Sequence, residues 1–115
     1  RADPALPMMY RPDAIRATLE LMEAPAETVR ERHSYNLAGI SFTPAQIAAA
    51  IRRRLPGFAF DEAPDFRQAI ADSWPRRIDD SAAQQDWGWR PAYDLEAMVD
   101  EMLAHLRPRL AARAA

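Results

Sequence analysis

Apolar and polar positions along this chain follow two different periods, and each change of period marks a new element. Residues 6–10 form a short apolar run that stops at Arg11-Pro12, as a buried strand does where proline removes a ladder donor. From 13 to about 23, Ile15, Leu19 and Met22, flanked by Ala14, Thr18 and Leu21, recur at helical spacing. This pattern predicts a well-buried helix, entered through Pro12 and closed by Ala24-Pro25. The charged stretch 27–32 reads as solvent-facing loop, and residues 34–38 as a second strand ended by Gly39. The sharpest local signal is Phe42-Thr43-Pro44-Ala45-Gln46-Ile47. Thr43 can cap a helix, Pro44 takes its first position, Gln46 completes a capping box, and Phe42 can staple onto Ile47. That helix should run to Leu55, bury Ile47, Ile51 and Leu55, and stop at Pro56-Gly57.

In the second half, residues 58–62 alternate and predict a third strand, at an edge. Asp65 is placed to cap a short helix with Phe66, Ile70 and Trp74 on one side and Pro75 as its stop. Asp80 or Ser81 caps another, with Ser81 and Gln84 as a capping box and Gly88 as its end. The last long helix opens at Tyr93-Asp94-Leu95, with Tyr93 stapling onto Met98. Its core face is Leu95, Met98, Val99, Met102, Leu103 and Leu106, and Pro108 begins a frayed tail over 108–115. About three short strands interleaved with four to five helices give an α/β class, as one unit over 1–115.

Composition narrows the functional classes. With a net charge of −2 the chain has no general attraction for nucleic acid or an anionic membrane, and no apolar run approaches the roughly 18 residues of a membrane span. The absence of cysteine excludes disulfides, thiol catalysis and thiolate metal sites and fits a reducing compartment, so a cytoplasmic location is the default expectation. All 15 basic residues are arginine, which leaves no lysine for a Schiff base, a phosphate-binding loop or a tyrosine-lysine dyad. The 3 glycines, Gly39, Gly57 and Gly88, stand apart, so no Gly-rich phosphate-cradling turn is present. An opening Arg1 in place of methionine reads as a piece of something longer.

Few residues carry candidate chemistry. His33 and His105 have no second metal-type residue at a spacing that makes a helical site, and no metal is expected. Arg52-Arg53-Arg54 falls in the last turn of a helix, where cations complement the macrodipole. Asp61-Glu62 and Asp79-Asp80 are sequence neighbours, which usually point apart. Trp74, fixed before Pro75 at a helix end, suits either a core anchor or a pocket wall. Trp87 and Trp89 read as packing around Gly88, and Arg67, Arg76 and Arg77 as solvated ion-pair formers with an option on a carboxylate or phosphate.

Read in order, "LPMMYRPDAIRATLELMEAP", "SYNLAGISFTPAQIAAAI", "PDFRQAIADSWP" and "IDDSAAQQDWGWRPAYDLEAMVDEML" resemble the C-terminal third of the short-chain-type L-threonine 3-dehydrogenases. These are a branch of the extended short-chain dehydrogenase/reductases, alongside nucleotide-sugar epimerases and dehydratases. The resemblance covers about residues 6–106. It implies a C-terminal, substrate-side lobe without the Rossmann sheet, from an enzyme that oxidises L-threonine to 2-amino-3-ketobutyrate and passes hydride to NAD. The cofactor would be bound by an N-terminal Rossmann lobe, the lobe's partner, in a parent protein that is a homodimer. The family's base is a tyrosine with a lysine four residues on, and the residues at that distance from Tyr10, Tyr35 and Tyr93 are Ala14, Gly39 and Ala97. No catalytic residue is therefore assigned, and the chain alone is expected to be inactive. The resemblance carries over Trp74 as a substrate-binding residue, with Ser73 and Arg67 of the same motif beside it. A nucleotide-sugar epimerase or dehydratase lobe and a non-catalytic α/β interaction module are the alternative readings.

Overall fold

Thr43 caps a helix with both halves of the expected box: its hydroxyl accepts from the Gln46 N–H at 3.1 Å, and the Gln46 side chain accepts from the Thr43 N–H at 2.8 Å. A computed structural model describes residues 2–114. The elements run β1 (Leu6–Met8), α1 (Arg11–Glu23), β2 (Ile40–Phe42), α2 (Pro44–Arg54), α3 (Arg67–Asp72), α4 (Ser81–Trp87) and α5 (Leu95–Ala114). The α/β class stands, with five helices and one sheet among the described residues. That sheet pairs β1 with β2 antiparallel, Leu6 opposite Phe42 and Met8 opposite Ile40. Pro7 sits in the middle of β1, which a strand with a free edge tolerates.

The strand count is lower than the alternation predicts. Residues 34–38 are not a strand; their partners are side chains, with the Ala38 N–H donating to Asp80 Oδ2 at 3.3 Å and Trp89 Nε1 donating to the Ala38 carbonyl at 2.9 Å. Pairing begins instead just past Gly39, whose missing Cβ would lie 2.8 Å from the Met8 carbonyl oxygen. Only glycine lets the chain cross β1 that closely before β2 starts. Residues 58–62 also form no strand. The Phe58 N–H turns back to the Leu55 carbonyl, Arg52 Nε takes the Phe58 carbonyl, and the Arg52 guanidinium lies over the Phe60 ring.

The core is small and built largely on alanine. Ala17 from α1, Ala83 from α4 and Trp89 form one buried cluster, flanked by Met9, Tyr35, Leu37 and Trp87. The one large side chain among them, Trp89, is fully buried with its indole N–H satisfied. Trp87 and Trp89 thus pack as read around Gly88, which ends α4 in the left-handed region at φ 76°. The buried face of α1 is Asp13 and Ala17, whereas Ile15, Leu19 and Met22 are exposed. The expectation of a well-buried stripe on those three residues is therefore overturned: they lie on the opposite side from the Trp89 cluster.

Helix α5 also departs from its expected end. It passes through Pro108 and continues to Ala114, because Arg109, Leu110, Ala111, Ala112 and their neighbours are strong helix formers. Its N-terminal half buries Met98 and Val99, while Met102, Leu106 and Leu110 are exposed. The radius of gyration is 17.4 Å, against about 13 Å for a compact domain of this length. Exposed apolar faces on α1 and α5 and a loose overall shape have the same origin: this chain buries only part of the surface its pattern prepares for burial.

An ionic network ties α2 to α5. Arg54 forks onto Asp100 (Nη2 to Oδ2, 2.8 Å) and reaches Glu96, which Arg53 also contacts. The arginines of the last α2 turn thus have specific partners on the next helix in addition to their favourable place in the helix dipole.

Candidate functional site

Helix α3 is only six residues long, and the turn that follows it sets the geometry of the site. Asp65 starts it, as expected, but from one residue further out: its Oδ1 accepts the Arg67 N–H at 3.0 Å, while the residue in the cap position is Phe66. At the other end the Trp74 N–H bonds to the Ala71 carbonyl at 3.2 Å, and Pro75 prevents a further turn. The segment then bends at Trp74 and again at Arg76, whose carbonyl accepts the Ser41 hydroxyl of β2 at 2.5 Å. Asp79 Oδ1 accepts the Ser81 N–H at 3.0 Å, a bond that holds the Asp79 carboxyl below its usual range and opens α4.

Asp80 does not cap α4 through its side chain. Buried instead, it accepts from Gln84 Nε2 at 2.6 Å and from the Ala38 N–H, so it anchors residues 34–38. The Ser81/Gln84 capping box is replaced by this arrangement. The segment 73–80 is therefore fixed at three places: to α3 behind it, to β2 through Ser41, and to the core through Asp80.

Trp74 is 57% exposed, which removes the core-anchor reading. It lines a cleft of about 200 Å³ together with Ala71, Asp72, Arg76 and residues 3–5 of the incoming chain. Ser73 and Arg67 do not join it there. The Ser73 hydroxyl donates to the Ile70 carbonyl at 2.7 Å, which leaves it as a local cap. Arg67 lies in a separate hollow near Phe60 and Gln68, paired with Asp65 (Nη2 to Oδ2, 2.6 Å). That pair holds the Asp65 carboxyl below its usual range. Of the three residues carried over for substrate binding, Trp74 alone lines this cleft, and the structure does not bring the three together.

A second, larger cleft of about 400 Å³ lies between the β1 and β2 strands and the far side of the same segment, lined by Met9, Leu37, Ile40, Arg77 and Ile78. Successive residues of 74–78 thus face two hollows, Trp74 and Arg76 one, Arg77 and Ile78 the other. Sequence reasoning placed Arg76 and Arg77 together as surface charges. Their separation follows from the Ser41 bond to the Arg76 carbonyl, a long-range contact with no signature in either stretch.

Among the described residues no group of three His, Cys, Asp or Glu side chains could hold a metal ion. A dinucleotide needs a Gly-rich turn between a parallel strand and a helix N-terminus. Gly39 serves a close strand crossing, Gly88 a helix end, and Gly57 neither, so the residues present do not fit NAD. No described helix is long and apolar enough to cross a membrane.

Comparison with known proteins gives a consistent set of relatives, although no family model matches the chain. It is 52% identical over 99 residues to the mitochondrial L-threonine 3-dehydrogenase of Sus scrofa, a match covering 85% of this chain and 26% of that protein. It is 49% identical over 102 residues to an uncharacterized epimerase/dehydratase of Staphylococcus haemolyticus, covering 88% and 32%. The solved GalE-like L-threonine dehydrogenase of Cupriavidus necator superposes with a TM-score of 0.89 at 65% identity, over 92% of this chain and 34% of that one. The chain therefore spans between a quarter and about a third of the length of the relatives it matches.

Proposed function

We propose that this chain, which belongs to the L-threonine 3-dehydrogenases of the epimerase/dehydratase superfamily and corresponds to their C-terminal segment, is the substrate-side lobe of an NAD-dependent enzyme converting L-threonine to 2-amino-3-ketobutyrate. The observation that carries this reading is the placement of Trp74: a large aromatic, half in solvent, on a cleft of about 200 Å³ whose other walls carry charges of both signs. A cleft of that size suits a small amino acid, and lies below the roughly 300 Å³ at which drug-sized ligand sites begin.

The lobe's own contribution is positioning. Trp74 closes one side of the substrate and excludes water from it, on a segment held to α3, β2 and the core. No hydride or proton step is assigned to this chain, since it has neither the tyrosine-lysine dyad nor residues that fit the cofactor. Both belong to an N-terminal Rossmann lobe, and the exposed stripes on α1 (Ile15, Leu19, Met22) and α5 (Met102, Leu106) are the faces it would cover. The parent would act in the cytoplasm as a homodimer.

Two assays test the proposal. The 115-residue chain alone should give no threonine-dependent NAD reduction, and the longer polypeptide that carries it should give it. In that longer polypeptide Trp74→Ala should raise KM for L-threonine by about tenfold, with thermal stability unchanged. Turnover by the isolated chain, or a Trp74→Ala enzyme with wild-type KM, would overturn it.

The epimerase/dehydratase relatives support a second reading, in which the substrate is a nucleotide sugar. Competition between L-threonine and a UDP-sugar in the longer polypeptide separates the two.

A further inference from the structure

We infer that the hollow between the first turn of α1 and the middle of α5 is the socket through which this lobe docks on the N-terminal lobe of the same polypeptide, and that its occupant is an acidic side chain set beside an apolar one. The inference deepens the proposed function and rests on its placing an N-terminal lobe over the exposed stripes of α1 and α5.

The hollow, of about 330 Å³, lies where those two stripes meet. Arg11 heads the helical face that Ile15, Leu19 and Met22 continue, opposite to buried Asp13 and Ala17. Met102, Leu106 and Arg109 share one face of α5 in the same way. The Tyr10 ring packs edge-on against Tyr93 at 4.8 Å, and the Tyr93 N–H is held by Asp13, so the wall that joins the two helices is fixed. An apolar floor of Tyr10, Met102 and Leu106 thus sits between Arg11 on one helix and Arg109 on the other, with His105 beside them.

Charge sets the chemistry of the occupant. Among the described residues neither guanidinium has an ion pair or a hydrogen bond, and the carboxylate in the hollow, Glu101, already accepts the Tyr93 hydroxyl. Arg11 also stands at a helix N-terminus, where the macrodipole disfavours a cation, while Asp13, the acid of that turn, is turned inward onto Ala92 and Tyr93. Where α2 meets α5, by contrast, Arg53 and Arg54 find Glu96 and Asp100 opposite. The Arg11/Arg109 hollow has the basic half of such a contact without the acidic half. This chain spans between a quarter and about a third of its relatives, which leaves the larger lobe to supply the carboxylate, at the high effective concentration of a tethered partner.

Peroxide oxidation of methionines in the longer polypeptide, read by peptide mass, tests this. Met22, 77% exposed in this lobe, and Met102 should oxidise far more slowly in the folded wild type than after unfolding in urea. Arg11→Glu/Arg109→Glu should speed Met102 oxidation by about 3- to 10-fold, and high salt should do so in the wild type only. Arg107→Glu, also exposed on α5, should leave the rate unchanged. Buried Met98 reports folding; if it too is oxidised in the double variant, Arg11→Gln/Arg109→Gln takes its place with the same acceleration expected. Unchanged Met102 protection in a folded double variant would overturn the socket. Protection that disappears on dilution would overturn it in favour of a second copy, and protection that needs added inorganic phosphate in favour of a small anion. Failure of the underlying reading looks different: Met22 and Met102 of the wild type would then oxidise at the unfolded rate.

Discussion

Asp13 accepts hydrogen bonds from the backbone N–H groups of Ala92 (3.0 Å to Oδ1) and Tyr93 (3.1 Å to Oδ2), residues about 80 positions away. One buried carboxylate thereby joins the first turn of α1 to the entry of α5. Arg16 completes its shell with Nη2 at 3.0 Å, donates to the Arg90 carbonyl and stacks over the Trp89 ring. Charge-assisted bonds of this kind stabilise by about 1.5–3 kcal/mol each, and a lost acceptor leaves the donors unpaired. Asp13→Ala should therefore destabilise the fold by about 3 kcal/mol, and Asp13→Asn, which keeps one acceptor oxygen, by about half that. Urea denaturation of the purified chain measures both.

The three glycines should rank by what surrounds them. At Gly39 an added Cβ meets backbone at 2.8 Å, so Gly39→Ala forces β1 and β2 apart and should cost about 1–3 kcal/mol. At Gly88 space is open but φ is 76°, and Gly88→Ala should cost about 1 kcal/mol. Gly57 has neither constraint, and Gly57→Ala should be neutral within about 0.5 kcal/mol. Thermal melting of the three variants gives the order directly.

Acid should loosen the contact between α2 and α5. Arg53 and Arg54 hold the Glu96 carboxyl below its usual value near 4.5, and Arg54 does the same to Asp100. Because the folded values lie below the unfolded ones, their stabilisation is fully present above pH 4.5 and is lost as pH falls through the lowered values. The groups are exposed, so the effect is screened by salt and modest. A Glu96→Gln chain should melt with a shallower acid slope than wild type, and added salt should narrow the difference.

Trp74 and Trp89 should separate function from folding. Trp89 is fully buried, and Trp89→Ala should cost about 3–5 kcal/mol, a large share of a small domain's stability. Trp74→Ala removes an exposed ring and should change stability by less than about 1 kcal/mol. Equal destabilisation by the two would return Trp74 to the core.

What the sequence shows well is what neighbouring residues decide. The Thr43 box, the Gly88 stop and the spans of α1, α2 and α4 depend on contacts within a few positions. Where it misleads, a distant partner decides. Residues 34–38 have the alternation of a strand, with Tyr35 and Leu37 turned inward, yet Asp80 and Trp89 take up the bonds a neighbouring strand would make. Ile15, Leu19 and Met22 have the spacing of a core stripe, and among the described residues nothing buries them. At the site, Trp74 is legible because proline fixes its neighbourhood. The placement of the Arg76 backbone is not, because it rests on a hydrogen bond from Ser41, 35 residues away.

Residues 3–5 close the cleft opposite Trp74, and the Ala2 carbonyl accepts the Ala45 N–H at the start of α2. Residues 2–5 thus both anchor to α2 and line the cleft that Trp74 lines. A substitution at residues 3–5 therefore reshapes the hollow beside Trp74 and disturbs the seating of this stretch on α2 at the same time.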